Sequence, residues 1–323
     1  MPLHVETPLI ESRPLSLAAR RSIWLKLDAL QPPGSFKIRG LGHACETYRS
    51  RGARRFVSSS GGNAGLAVAY AGRVLGVPVT VVVPESASER AKELLRLEGA
   101  DVVVTGASWQ EANAVALSLI GKADAFVHPF DDPLVWEGHA TLIDEVHRAG
   151  FEPDAVVLSV GGGGLLCGIA EGLHRNGWTD VPIVAVETEG AASLHAAMRA
   201  GRPVDLARID SIATSLGAKR VCDKAMEWSN SHHITSVLVS DRSAASACER
   251  FLGDHRILVE PACGASLAVA YEQASVLERF DKVLIVVCGG ATATADQIRR
   301  WAARGVPDRT PAWKSRQRRC QPG

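Results

Sequence analysis

The chain has 323 residues, 46% of them hydrophobic and 22% charged, with a formal net charge of +1. That length supplies ample core for one large or two medium domains, and the balanced charge gives no reason to expect nucleic acid or an anionic membrane as partner. Seven cysteines with no CxxC pair argue against a disulfide framework or a zinc site and for a reducing compartment, with the cytoplasm as the default.

No apolar run approaches the roughly 18 residues of a membrane span. The start, MPLHVETPLIESRP, lacks a charged region followed by an apolar one, so no signal peptide is expected. The first strand-like run, IWLKLD, is broken by Pro32, Pro33 and Gly34. Ser35 then offers an N-cap, and Leu41, Ala44, Cys45 and Tyr48 recur at helical spacing, with Lys37 on the same face. A cation at a helix N-terminus meets the positive end of the dipole, and burial disfavours its charge further. Both effects favour the neutral, nucleophilic amine that Schiff-base chemistry needs. An ordinary lysine snorkelling from a first turn is the alternative.

Beyond it, short β-branched runs alternate with amphipathic segments. RFVSS, VTVVV, DVVVT, AFVHP, AVVLSV, IVAVET, ITSVLVS, ILVEP and VLIVVCGG are the expected strands; SERAKELLRLEG, WQEANAVALSLIG and AASACERFLG are among the expected helices. Continuous apolar strands separated by helices predict parallel sheets covered on both faces. The strands are too many for one sheet, so two α/β lobes are expected. FDDPLVWEGHA carries Asp131, Asp132, Glu137 and His139; Asp132 before Pro133 reads as an N-cap rather than a metal ligand. His232 and His233 are expected to be exposed at the start of a strand. Glu260 leads into a helix, as a cap or as a site residue. The basic ending WKSRQRRCQPG reads as a solvated tail.

Three strand-to-helix loops are rich in glycine, and ligands gather at such carboxyl ends of strands. Gly161 to Gly164 follow AVVLSV, and bare backbone amides at a helix start suit a phosphate. The run lacks the ending of a nucleotide P-loop, and although Glu187 closes the next strand, four successive glycines depart from GxGxxG spacing. Ser59 to Asn63 form a second nest, suited to a carboxylate. The third, VCGGATATADQ, places Cys288 at a strand end, as a ligand-facing residue or an inert buried thiol. An anion cradle, a carboxylate nest and an amine nucleophile together fit pyridoxal 5′-phosphate, a phosphate-bearing aldehyde.

In TPLI, WLKLDALQPPGSFKIRG, SSGGNAG, HPFDDPLVWEGHA, SVGGGGLLCG, ILVEPACGASLA and VVCGG the chain resembles the fold type II pyridoxal-phosphate enzymes. Within them it is most similar to the serine/threonine dehydratases of the catabolic, liver type and their dehydratase-like relatives. The resemblance spans almost the whole chain. It implies two open, twisted, mainly parallel sheets flanked by helices, as in tryptophan synthase β, with the cofactor between a large domain (1–37 and 135–323) and a small one (38–134).

The resemblance also assigns roles. Lys37 becomes the Schiff-base lysine, one of eight lysines in the chain. Phe36 covers one ring face and Ser215 the other; Asn63 meets the ring hydroxyl and Cys288 the ring nitrogen. Gly161, Gly162, Gly163, Gly164 and Leu165 hold the phosphate. Ser60, Gly61, Gly62, Asn63 and Ala64 hold the substrate carboxylate. Glu187, Ala191, Ser193, Leu216 and Ala218 match a potassium site. The implied activity is deamination of L-serine to pyruvate, with L-threonine as the secondary substrate, by a homodimer.

Two positions depart from the family. Gly61 stands where racemases and threonine deaminases have serine and the liver enzyme alanine, which predicts no useful racemase activity. Ser215 stands where the liver enzyme has alanine. Other fold type II β-elimination or β-replacement chemistry and a low-activity cofactor-binding relative are the alternatives. SSGGNAG does not match the TSGNTG-like loop of the replacement enzymes.

Overall fold

The computed structural model describes residues 1–272 and 275–304. The basic C-terminal stretch and Cys320 lie outside the described residues. Two sheets carry the fold. The smaller holds β3 (Arg55–Ser58), β4 (Val79–Val83), β5 (Asp101–Val104) and β6 (Asp124–Phe126), all parallel, in the order β5-β4-β3-β6. The larger holds β1 (Leu9–Glu11), β2 (Ser22–Lys26), β7 (Ala155–Ser159), β8 (Ile183–Thr188), β9 (Ile234–Val239) and β10 (Lys282–Val286). Its order is β1-β2-β10-β7-β8-β9, parallel except for β1 at the edge.

Central strands β4, β7 and β8 are buried along their whole length, as their mainly apolar sequences require when helices cover both faces. Around the smaller sheet lie α2 (Lys37–Ser50), α3 (Asn63–Leu75), α4 (Glu89–Leu97) and α5 (Trp109–Ser118). The larger is covered by α1 (Arg13–Ala19), α6 (Pro133–Arg148), α7 (Gly164–Arg175), α8 (Ser193–Ala200), α9 (Asp223–Ser231), α10 (Asp241–His255), α11 (Pro261–Tyr271) and α12 (Ala295–Arg304).

Contact between α2 and α6 sets where Lys37 stands. The helices meet at Gly40 and Gly138, where a Cβ on Gly138 would lie 2.7 Å from the Gly40 Cα, so a larger residue would part them. Beside this contact Arg39 is wholly buried and clamps two carboxylates: Nε to Asp28 Oδ2 at 2.7 Å and Nη1 to Glu145 Oε1 at 2.6 Å. Lys26 completes the network on Glu145 at 2.5 Å, and the Thr7 hydroxyl donates to Asp28 at 2.7 Å. Two cations thus balance two anions, the condition under which buried charge is tolerated.

Three expectations need correction. ILVEP forms no strand; residues 257–260 run as irregular chain into α11, and Pro261, at its first position, could not donate to a ladder. The short edge strand β1 has too few residues for a period to show. Ser35 does not cap α2; Phe36 occupies that position without a side-chain bond, and the Ser35 hydroxyl is buried without a protein partner. His232 is buried, its Nε2 2.9 Å from the Val181 carbonyl oxygen, whereas His233 is exposed as expected. Asp132 caps α6 as expected, accepting from Leu134 N at 2.9 Å ahead of Pro133. Among the described residues no group of three His, Cys, Asp or Glu side chains could hold a metal ion.

Candidate active site

A cavity of ≈ 1110 Å³ opens where the carboxyl ends of β3, β7 and β10 face one another, and all three glycine-rich loops line it. So do Phe36, Lys37, Leu165 and Ser215. The residues matched to a potassium site divide: Leu216 and Ala218 line the cavity, while Glu187, Ala191 and Ser193 lie behind it, fully buried. Glu187 accepts Leu194 N at 2.8 Å and His195 N at 2.7 Å, and thereby caps α8. Burial pushes its carboxyl up to about 7, against these two amides. Ser193 Oγ donates to the Gly161 carbonyl at 3.3 Å, tying this region to the glycine loop.

Lys37 begins α2. Its side chain is half-buried, reaching into the cavity, but the amine itself is enclosed and donates to the Pro129 carbonyl at 2.7 Å. Burial lowers its pKa to about 8, and among the described residues no carboxylate pairs with it. The neighbouring Cys263 and burial push the Cys288 thiol well up, so it stays protonated.

The glycine loop is shaped by its packing. A Cβ on Gly162 would enter the Phe130 ring, and one on Gly163 (φ +96°) would lie 2.8 Å from Ala225 Cβ. One on Gly161 would lie 3.0 Å from Leu216 Cα. Only glycines pass between these walls. Among the described residues the backbone amides from Gly161 to Leu165 donate to no protein acceptor, and those of Gly61, Asn63 and Ala64 are likewise unused. Two sets of free donors therefore stand on one cavity with one neutralisable amine. This arrangement fits an anion at each nest and a carbonyl carbon at the lysine.

Several site residues were not legible in the sequence. His128 lines the cavity; burial and the nearby Lys37 lower its pKa to about 4. Its Nδ1 accepts from Asp131 N at 2.7 Å, leaving the neutral ring's proton on Nε2. His139 is wholly buried, stacks at 4.8 Å on Phe36 and has no protein partner at either ring nitrogen, so it braces Phe36 as an uncharged ring. Thr292 also faces the cavity, joined at 2.8 Å to Glu260, and of the two readings of Glu260 as cap or site residue the structure supports the second.

A model of the family described as "Pyridoxal-phosphate dependent enzyme" matches residues 1–289. The chain belongs to this family. Human L-serine dehydratase/L-threonine deaminase is 45% identical over 322 residues, covering 96% of this chain and 98% of that protein. A mouse serine dehydratase-like protein is 48% identical over 308 residues, covering 92% and 93%. Among solved structures, a fungal L-serine ammonia-lyase from Rhizomucor miehei superimposes with a TM-score of 0.89 at 35% identity, over 94% of this chain and 99% of that one. The pyridoxal-phosphate dependent enzyme so identified keeps an enclosed amine and unspent amide donors at the places where an aldehyde and a phosphate need them, so its residues fit the cofactor.

Proposed function

We propose that this enzyme deaminates L-serine to pyruvate and ammonia, with L-threonine converted to 2-oxobutanoate as a secondary reaction. The observation that carries the reading is the enclosed Lys37 amine, lowered to about 8, on the same cavity as the free amides of Gly161 to Leu165. The names borne by the human and fungal relatives support the substrate.

In this reading Lys37 anchors the cofactor and the amides from Gly161 to Leu165 bind its phosphate. Phe36 and Ser215 flank the ring, Asn63 meets its hydroxyl and Cys288 its nitrogen. Bound pyridoxal phosphate supplies an aldehyde that condenses with amines and a ring that withdraws electrons from Cα. The loop from Ser60 to Ala64 holds the substrate carboxylate through backbone amides. Lys37, neutral once released, takes the Cα proton, for which an amine near 8 is well matched to a cellular pH. The protonated Cys288 thiol is a weak donor, so the protein does not force a charge onto the ring nitrogen. Loss of the β-hydroxyl yields 2-aminoacrylate, which water converts to pyruvate and ammonia.

The reading extends to a monovalent cation held by Glu187 and Ser193 with the carbonyls of Ala191, Leu216 and Ala218, an oxygen-rich set that suits a hard ion. It extends also to a homodimer in the cytoplasm, supported by the family resemblance and by the six free cysteines among the described residues. The test is the visible spectrum of the purified chain supplied with pyridoxal phosphate and then L-serine. A yellow band that shifts as pyruvate accumulates is expected. A band unmoved by serine would refute the substrate, and no band would refute the reading at its root.

A further inference from the structure

Glu260 occupies the N-cap position of α11, yet its side chain makes no capping bond. It turns into the cavity wall, 3% exposed, where a Cβ on Gly290 would collide with its carboxyl. Oε1 accepts the Asn63 amide at 2.7 Å and Oε2 the Thr292 hydroxyl at 2.8 Å. The nearby Ser215 hydroxyl and Thr292 backbone amide also favour the charged form of the carboxyl. Ser215 Oγ accepts a hydrogen from Asn63 Nδ2 at 3.3 Å, so both hydrogens of that amide have acceptors, Glu260 and Ser215. On its other side the carboxamide oxygen of Asn63 accepts Ala291 N at 3.0 Å.

An asparagine carboxamide can rotate and exchange donor for acceptor. Burial raises the Glu260 carboxyl above its usual range, against the donors around it, which favour the charged form. As a carboxylate it only accepts, and at the other end of the amide stands a backbone N–H, which only donates. A single orientation satisfies both. Of the two amide hydrogens, the one at 2.7 Å is committed to a charged acceptor, while the one at 3.3 Å is weakly held and can pass to a ligand oxygen. The buried anion would be a poor choice for stability alone, since burying it costs solvation.

We propose that Glu260 is a positioning residue that locks Asn63 as a hydrogen-bond donor for the cofactor's ring hydroxyl, with Ser215 holding that donor in reserve until the cofactor binds. The proposal rests on the pyridoxal-phosphate reading above. It also gives Ser215 a purpose that its place against a ring face did not suggest: a hydroxyl there accepts the second amide hydrogen, which an alanine could not do.

The test is a double-mutant cycle read by cofactor affinity rather than turnover. The full-length chain, stripped of cofactor, is titrated with pyridoxal phosphate and followed by its visible band, for the wild type, Glu260→Gln, Asn63→Ala and the pair. Glutamine keeps one uncharged acceptor oxygen where Asn63 and Thr292 need two, so Glu260→Gln is expected to weaken binding about tenfold or more. In the Asn63→Ala background the same change is expected to have little further effect, because coupled residues are not additive. Equal weakening in both backgrounds, or no weakening in either, would overturn the proposal. Thr292→Val provides an independent probe should Glu260→Gln not fold: it removes the donor to Oε2 and is expected to weaken binding only where Asn63 is present. A wild-type chain that gives no band at any cofactor concentration would instead sink the parent reading, an outcome that no variant can mimic.

Discussion

Lys37 Nζ donates to the Pro129 carbonyl at 2.7 Å, across a loop that leads from the small sheet into α6. The amine thus has a neutral acceptor and, among the described residues, no anion, and burial brings its pKa from 10.5 to about 8. Below 8 the neutral fraction falls about tenfold per pH unit; above 8 it is nearly complete. The rate at which the cofactor-free chain develops its visible band with pyridoxal phosphate should therefore climb with pH up to about 8 and level off beyond. A rate still climbing toward 10.5 would mean an unperturbed amine. Lys37→Ala should give no band and no borohydride-stable adduct.

The Arg39 cluster gives a stability prediction. Replacing Arg39 by methionine keeps volume but leaves Asp28 and Glu145 buried without their main counter-charge. Breaking a buried pair from one side costs about 3–5 kcal/mol, far more than an exposed pair would. Urea unfolding should show that loss, whereas Arg73→Met, at an exposed pair with Glu98, should change stability by less than about 1 kcal/mol. Equal effects would mean that water reaches the cluster.

The alternation of apolar strands with helices was enough to foresee two parallel sheets, because strands such as VTVVV and AVVLSV are buried on both faces and show it in every residue. ILVEP misled because an apolar run need not pair: Val259 is buried, but Ile257 is half-buried and Leu258 exposed, and the run leads straight into Pro261. The glycine loops were legible because bare backbone at a strand end has few other uses. Glu260 with Asn63, and Phe36 braced by His139, were not. Each joins residues far apart in sequence, and no local period marks such a meeting. His232 was misjudged because its burial comes from Val181 and His174, on other elements.

Gly163 and Gly177 separate strain from crowding. Both have positive φ, +96° and +79°, but a Cβ on Gly177 would meet nothing within 4 Å, while one on Gly163 would press on Ala225 and lie 3.0 Å from Cys222 Sγ. Gly177→Ala should cost about 1 kcal/mol of stability, from φ alone, and leave cofactor affinity intact. Gly163→Ala should cost more and weaken pyridoxal phosphate binding, since it moves the amides from Gly161 to Leu165. Thermal unfolding and cofactor titration of the two variants check this. Equal affinity losses would show that the loop's packing does not govern its donors.

Gly61 governs the last prediction. It lies in the loop assigned to the substrate carboxylate, and a Cβ there would sit 3.2 Å from Val83 Cγ1 and 3.4 Å from Ala87 Cβ, close but not barred. Racemisation needs a proton returned to Cα from the face opposite the lysine, and glycine carries no group to return it. With L-serine the enzyme should therefore form pyruvate without accumulating D-serine, as chiral chromatography of the reaction would show. D-serine appearing at a rate comparable with pyruvate would mean that another hydroxyl reaches Cα. Gly61→Ser needs Val83 to shift only by a few tenths of an ångström, so the variant should fold. It should also show the D-serine that the natural sequence lacks, because the new hydroxyl supplies a proton donor at that loop.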